Sequence, residues 1–251
     1  MKKKIAIRWV ESIDSTNSET LRQVGHIDNL SVLAAYCQTA GRGQRGNSWK
    51  SAPGDNLTFS LFVRFGSDGV PVLPASRQFV LNEVITLALT DFLLEEGIRA
   101  DIKWPNDIYV RNKKLSGILI ESALEGENMA WSVIGVGLNL NQTDFPAELL
   151  NPVSLCRLSG KKYALEDTLE RIMELVPSYI EQTGSEEGRE AMLEKYLSRL
   201  YRKGELCDYT DTSDGSVLKG RICGISPKGK LLVETGGIVK EFDFKEISYI
   251  I

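Results

Sequence analysis

The sequence predicts an α+β protein, a mixed sheet with helices followed by a small C-terminal β-barrel. Short segments in the first half alternate apolar and polar residues, as strands do. Longer segments with helical spacing lie among and after them. From residue 204 onward, short alternating runs are separated by turns such as "SDG", "SPKG" and "ETGG". The predicted units are therefore 1–203 and 204–251, and the second is small enough that we expect it to pack on the first.

The first predicted elements are a strand, a helix and two further strands. "IAIRWV" alternates, and "DSTNSETLRQV" places Ser, Thr and Asn before a helical stretch, as helix N-termini do. "SVLAAYCQ" predicts a second, buried strand, and "DNLTFSLFVRF" predicts a third. The glycine- and arginine-rich segment "GRGQRGNSW", residues 41–49, therefore connects two strands.

A core helix is predicted from about Phe79 to Leu94, before Gly97. Three strand-like stretches follow it, "ADIKWPNDIYV", "KKLSGILIESAL" and "MAWSVIGVGLNLN". Two amphipathic helices come next, in "LEDTLERIMELVPSYIEQT" and "EEGREAMLEKYLSRLYRKG". The tail then predicts a barrel or sandwich of roughly five antiparallel strands.

Composition argues against several classes of function. The chain has 251 residues and a net charge of −4, which argues against broad binding of nucleic-acid backbone. Its four cysteines lack metal-ligand spacing and are interpreted as reduced, consistent with a cytoplasmic chain. The single histidine, His26, lies in a polar turn, which argues against a Ser-His-Asp triad. The apolar run near the N-terminus is short and interrupted by Arg8, so it predicts neither a signal peptide nor a membrane anchor.

The segment 41–49 has the composition of an anion-binding loop. Its glycines allow close approach of the backbone to a ligand, and Arg42 and Arg45 flank the exposed amides. It is not a P-loop, because no Lys-Ser/Thr pair follows, and it is not a dinucleotide fingerprint, because no helix follows. A flexible surface loop remains the alternative interpretation.

A second cluster of polar residues lies in "KWPNDIYVRNKKLSGILIE". Lys103, Asn106, Asp107 and Lys114 fall within twelve positions, in and beside apolar strands. Pro105 favours an extended backbone at the residue before it. Burying a lysine is costly unless an anion meets it. Many donors with one carboxylate suit phosphoryl or acyl-adenylate chemistry, whereas a hairpin with solvated charges is the alternative.

Six motifs, in this order and spacing, resemble the biotin protein ligase family: "DSTN", "QTAGRGQRGNSW", "GDNLTFSL", "KWPNDIYV", "KKLSGILIE" and "GVGLNLN". The resemblance covers nearly the whole chain. It implies a class II aminoacyl-tRNA synthetase/biotin ligase-like catalytic domain and an SH3-like C-terminal domain. Many bacterial members carry an N-terminal winged helix-turn-helix, whereas this sequence starts at the catalytic domain, so we expect no operator binding.

The resemblance implies a two-step reaction with biotin, ATP and Mg²⁺. Biotin is activated to biotinyl-5′-AMP with release of pyrophosphate, and biotin is then transferred to a lysine of a biotin carboxyl carrier protein. Negative charge builds on the α-phosphate, so preorganised cations and backbone donors are the main catalytic need. The anhydride must also be shielded from water. We expect no DNA or membrane partner, and homodimer formation is left open.

The resemblance further implies the roles of individual residues. Asp107 either holds the metal or orients the incoming amine, and Trp49 either packs beside the adenine or anchors the loop. The implied catalytic residues are Lys103, Arg42, Asp107 and Lys114. The implied biotin-binding residues are Ser15, Thr16, Asn17, Gln38, Gly41, Arg42, Gly43, Gln44, Lys114 and Gly117. The implied ATP-binding residues are Arg42, Arg45, Trp49, Lys103, Asn106 and Asn139.

The loop departs from the family's common "GRGRxGR" pattern, because Gln44 and Asn47 replace arginines. We hypothesise that Gln44 contacts the adenylate but retains it less tightly. Two alternative functions stay open at this point. A lipoate protein ligase would share the fold and the adenylate chemistry, although "STN" and "KWPND" with this loop favour biotin. A non-enzymatic binding module would need a basic, aromatic face, whereas the tail mixes both signs of charge.

Overall fold

The structure is a computed structural model that describes residues 5–250. Its larger sheet has the strand order β1-β2-β3-β7-β6-β5-β4. β1 and β2 are parallel and every other neighbouring pair is antiparallel, so the sheet is mixed, as predicted. Its strands are β1 (Ala6–Ile13), β2 (Ser31–Gln38), β3 (Leu57–Arg64), β4 (Asp101–Lys103), β5 (Asp107–Val110), β6 (Lys113–Glu125) and β7 (Asn128–Leu138).

The stretch "ADIKWPNDIYV", predicted as one strand-like segment, forms two short strands instead. β4 and β5 make an antiparallel hairpin in which Lys103 pairs with Asp107. The turn between them contains the cis Trp104–Pro105 peptide bond. Proline lacks an N–H donor and cannot continue a strand ladder, so the turn falls at this position. The hairpin thereby brings both charged residues to the same end of the sheet.

The helices of the larger unit cover the sheet and form its core. α2 is buried along most of its length, because it packs against both α4 and α5. The core helix predicted from Phe79 to Leu94 is confirmed to within one residue at each end, and α3 is a short helix that periodicity did not predict. The helices are α1 (Thr16–Arg22), α2 (Val80–Glu95), α3 (Leu155–Ser159), α4 (Leu165–Gln182) and α5 (Glu186–Ser198).

The C-terminal part forms a separate five-stranded antiparallel sheet with the order β11-β10-β9-β8-β12, consistent with an SH3-like domain. The number of strands agrees with the prediction, whereas the boundary between 1–203 and 204–251 stays a prediction. The strands are β8 (Leu206–Asp211), β9 (Val217–Ile225), β10 (Leu231–Thr235), β11 (Ile238–Phe242) and β12 (Ile247–Tyr249).

The second sheet packs on the first, as its small size predicts. Trp104 Nε1 donates a hydrogen bond to the carbonyl of Gly229 at 2.9 Å. The rings of Trp104 and Phe244 lie 5.1 Å apart. The second sheet therefore contacts the turn between β4 and β5. Within residues 5–250, no helix has the length and apolar character needed to cross a membrane.

Candidate active site

A polar cavity of about 280 Å³ lies where α1, the loop 41–49 and the ends of several strands meet. Residues from each of the predicted motif clusters contribute to its walls. The second sheet also contributes, through β12. The predicted site residues that line this cavity are Ser15, Thr16, Asn17, Gln38, Arg42, Gly43, Gln44, Trp49, Lys103, Asn106, Asp107, Lys114 and Gly117.

One wall of the cavity is a hydrogen-bonded network at the start of α1. Ser15 caps this helix, with its side chain accepting from the backbone N–H of Ser18. The backbone N–H of Thr16 donates to Gln38 Oε1 at 2.7 Å, which links α1 to the end of β2. Ser60 Oγ on β3 lies 2.8 Å from Thr16 Oγ1 and 2.6 Å from Asn17 Oδ1. Except for the half-buried Gln38, these side chains are buried, and together they offer hydroxyl and amide groups suited to a polar ring.

Glu121, which sequence reasoning missed, connects the loop to this wall. Arg42 donates to it through Nη1 at 2.9 Å and Nη2 at 2.7 Å. Asn17 Nδ2 donates to Glu121 Oε2 at 3.0 Å. The available signal was an acidic residue that directly follows the apolar run "ILI" at the end of "KKLSGILIE". A bidentate arginine–carboxylate pair fixes direction as well as distance, so the Arg42 guanidinium has a defined orientation.

Glycines on β6 and β7 make room for the indole of Trp49. Gly117 and Gly137 are paired across these strands. A Cβ at Gly137 would lie 2.1 Å from Trp49 Cε2, and one at Gly117 would lie 3.1 Å from Cζ3. A Cβ at Gly135 would lie 1.9 Å from Asn17 Oδ1. The alternating glycines of "GVGLN" were therefore the sequence signal that other side chains approach this strand closely.

Trp49 contributes to the cavity both its indole ring and the N–H group of that ring. Its Nε1 is buried without a hydrogen-bond partner among the residues that the structure describes. A buried donor of this kind costs free energy unless a ligand or water meets it. Both roles predicted for Trp49, as a ligand contact and as an anchor of the loop, stay predictions.

Two lysines also line the cavity, each in a different environment. Lys114 Nζ donates to Asp107 Oδ2 at 2.7 Å. Lys103 Nζ lies 3.3 Å from the hydroxyl of Tyr109. Burial lowers the pKa of Lys103, an effect that the Asp107 carboxylate opposes and the Lys114 ammonium reinforces. The cavity thus holds a desolvated ammonium whose attraction for an anion is stronger than it would be in water.

Four predicted site residues remain. Asn106 lines the cavity, whereas Gly41, Arg45 and Asn139 are not in its described lining. Asn106 Nδ2 donates to the carbonyl of Ile118. Asn139 donates to the carbonyls of Lys114 and Val153, so it supports the strand that carries Lys114. A Cβ at Gly41 would lie 2.5 Å from the Trp49 carbonyl oxygen. The side chain of Arg45 falls outside the described atoms. The binding roles of all four stay predictions.

The donor set of the cavity fits Mg²⁺ that arrives with a nucleotide. Among residues 5–250 there is no cluster of three or more His, Cys, Asp or Glu that could hold a metal ion. The described lining contains one carboxylate, Asp107. Mg²⁺ is commonly bound by one or two carboxylates together with substrate phosphates and waters. Asp107 is therefore the residue of this lining that would hold a nucleotide-bound ion, and its metal role stays a prediction.

Comparison with known proteins identifies the family. The sequence model of the biotin/lipoate A/B protein ligase family matches residues 9–139. The bifunctional ligase/repressor BirA of Escherichia coli (strain K12) is 30% identical over 244 residues, which is 94% of this chain and 71% of that protein. The biotin–[acetyl-CoA-carboxylase] ligase of Paracoccus denitrificans is 35% identical over 130 residues, covering 51% of each chain.

A solved structure resembles both sheets of this chain. The biotin protein ligase from Aquifex aeolicus in complex with biotin and ATP has a TM-score of 0.78 and 26% sequence identity, and the match covers 97% of each chain. The chain belongs to the biotin/lipoate A/B protein ligase family. The relatives from Paracoccus denitrificans and Aquifex aeolicus are biotin ligases by name.

Proposed function

We propose that this chain is a biotin protein ligase. It activates biotin with ATP to biotinyl-5′-AMP, and it then transfers biotin to a lysine of the biotin carrier protein of a carboxylase. One observation carries the proposal. Residues of "DSTN", "GRGQRGNSW", "KWPND" and "KKLSG", distant in sequence, line one cavity in a chain of this family.

The wall at the start of α1 holds the polar ring of biotin in this proposal. Thr16, Asn17 and Ser60 form one hydrogen-bonded group, and Gln38 is bound to the backbone of Thr16. Their orientations are therefore set before biotin binds, which lowers the entropy lost on binding. Ser15 completes this wall from the helix cap.

The part of the cavity lined by Lys103 and Asp107 holds the phosphates in this proposal. The biotin carboxylate attacks the α-phosphorus, the new C–O–P linkage forms, and the bond to pyrophosphate breaks. Lys103 and Arg42 meet the charge that develops on the phosphate oxygens, and the burial of Lys103 strengthens its attraction for them. Mg²⁺ bound with ATP neutralises further phosphate charge. Asp107 and the phosphates would hold that ion.

The second step requires an acceptor amine and protection of the adenylate. The lysine amine of the carrier attacks the carbonyl carbon of biotinyl-AMP, the C–N bond forms, and AMP leaves. Asp107 is placed either to hold the metal or to orient that amine. The loop 41–49 and β12 both line the cavity, so together they limit the access of water to the anhydride.

Labelled-biotin transfer to a biotin carrier domain with ATP and Mg²⁺ tests the proposal. We expect transfer by the unsubstituted protein and a loss of about 10²–10³-fold in Lys103→Ala, since removing a preorganised charge at the transition state has this order of effect. Lys113→Ala, an exposed lysine of β6, is the matched control and should transfer normally. The absence of transfer by the unsubstituted protein would refute the function.

ATP–pyrophosphate exchange, measured with biotin or with lipoate as the substrate acid, separates the biotin and lipoate alternatives. Exchange that depends on biotin and not on lipoate supports the proposal. The reverse result would assign the chain to the lipoate branch of the family.

The acceptor protein, the location in the cell and the absence of DNA binding are part of the same proposal. The acceptor is a carboxylase carrier protein, because the names of two relatives specify such a ligase. We propose a cytoplasmic location, where ATP and the carrier are both present, and no binding to DNA. Whether two copies associate would be measured by analytical ultracentrifugation with and without biotin and ATP.

A further inference from the structure

The ammonium group of Lys103 lies between two tyrosine rings that belong to different sheets. It is 4.8 Å from the ring centroid of Tyr109 on β5. It is 4.9 Å from the ring centroid of Tyr249 on β12. Both distances are within the roughly 6 Å at which an aromatic face attracts a cation. The rings therefore favour the charged form of a lysine that burial disfavours.

Tyr249 is fixed in place by its own neighbours. It pairs with Tyr209 across β12 and β8, and the two rings lie 5.4 Å apart. Tyr201 packs on it at 6.0 Å. The Tyr249 hydroxyl oxygen is buried and has no hydrogen-bond partner among residues 5–250. Ring packing, rather than the hydroxyl, thus sets the position of this side chain.

The charges around Lys103 explain why an aromatic contact suits this position. Asp107 favours its charged form, whereas Lys114 and Arg202 disfavour it. A further carboxylate at the position of Tyr249 would pair with the ammonium and compete with a phosphate for its N–H donors. An aromatic face stabilises the cation while leaving those donors available.

We propose that Tyr249 is a positioning residue for the activation step: the second sheet places this ring against Lys103 and holds its ammonium at the phosphate end of the cavity. The inference rests on the role that the proposed function gives to Lys103. It assigns a task to β12, whose residues the sequence motifs did not single out. The second sheet accordingly completes the active site as well as packing beside it.

Biotin-dependent ATP–pyrophosphate exchange, measured in substituted full-length proteins, tests the inference. Tyr249→Leu removes the aromatic face and should lower kcat roughly 2- to 30-fold, with little change in the KM for biotin. Tyr249→Phe retains the face and should keep most of the rate. In a Lys103→Ala background, Tyr249→Leu should cause no further loss, because the ring acts through the ammonium.

Controls separate positioning from folding. Phe242→Leu alters another buried ring of the second sheet that lies outside the cavity lining, and its rate per folded molecule should match that of the unsubstituted protein. Thermal unfolding gives the folded fraction of each variant, and Tyr249→Met replaces Tyr249→Leu if the latter does not fold.

Three results would each overturn the inference. These are an unchanged kcat in the non-aromatic variant, a loss in Tyr249→Phe equal to the loss in that variant, or a further loss when Tyr249→Leu is added to Lys103→Ala. Absence of exchange in the unsubstituted protein would refute the proposed function instead, so the two failures are distinguishable.

Discussion

Replacing Glu83 by glutamine is expected to stabilise the protein increasingly as the pH rises. Glu83 lies on α2 and is only 5% exposed, and its Oε2 has no hydrogen-bond partner among residues 5–250. Burial raises the pKa of this carboxyl from 4.5 to about 8. Glu83 lines a small cavity of about 60 Å³ together with Arg77, Arg189, Glu186 and Glu190. Arg77 and Arg189 both pair with Glu186. Glu83 is therefore protonated in the folded protein at neutral pH.

The sign and size of the effect follow from linkage. The pKa is higher in the folded than in the unfolded chain, so the contribution of Glu83 is fully present below about pH 4.5 and is lost as the pH rises through about 8. Each pH unit in this window removes about 1.4 kcal/mol. The loss is thus about 3 kcal/mol by pH 7 and about 4 kcal/mol by pH 8. At pH 7 this corresponds to a difference in Tm of roughly 6–12 °C for a chain of this size.

Urea unfolding between pH 5 and pH 8, followed by circular dichroism, measures the difference. The gain in the free energy of unfolding of Glu83→Gln over the unsubstituted protein should grow by about 1.4 kcal/mol for each pH unit. Glu194→Gln, at an exposed position of α5, is the matched control and should follow the unsubstituted protein. A gain that stays constant from pH 5 to pH 8 would refute the reasoning.

Two further predictions concern the cavity. Gly137→Ala places a Cβ 2.1 Å from the Trp49 ring, so it should destabilise the protein by about 1–3 kcal/mol and raise the KM for ATP or biotin, measured by urea unfolding and initial rates. Gly224→Ala is the control, because its nearest neighbour would lie 3.8 Å away. Gln44→Arg restores a charge to the loop and should slow the release of biotinyl-AMP in a filter-binding assay. Equal release rates in Gln44→Arg and the unsubstituted protein would refute the hypothesis that Gln44 retains the adenylate less tightly.

Much of the secondary structure could be predicted because it depends on local patterns. The alternation in "DNLTFSLFVRF" and the spacing of apolar residues in α2 were sufficient to predict these elements. The start of α1 was recognisable for the same reason, from the Ser, Thr and Asn residues that precede the helical stretch. The division of "ADIKWPNDIYV" into two strands was not predicted, since period-2 character does not show where a ladder turns back.

Most of the candidate site was also predictable, because the motifs keep their residue types at fixed spacing. Which motif residues line the cavity, and what they contact there, was less predictable. Asn139 carries a motif position but supports the backbone of Lys114. Glu121 and Arg42, 79 positions apart, form an ion pair that no local pattern predicts.

The sequence by itself determined most of the order of helices and strands, the family and most of the candidate cavity residues. Only the tertiary structure decided that Tyr249 meets Lys103 and that Oε2 of the buried Glu83 has no hydrogen-bond partner among residues 5–250. The physical reason is that periodicity and capping reflect the backbone within a few turns of a residue. Contacts between distant segments depend instead on how complete sheets and helices pack against one another.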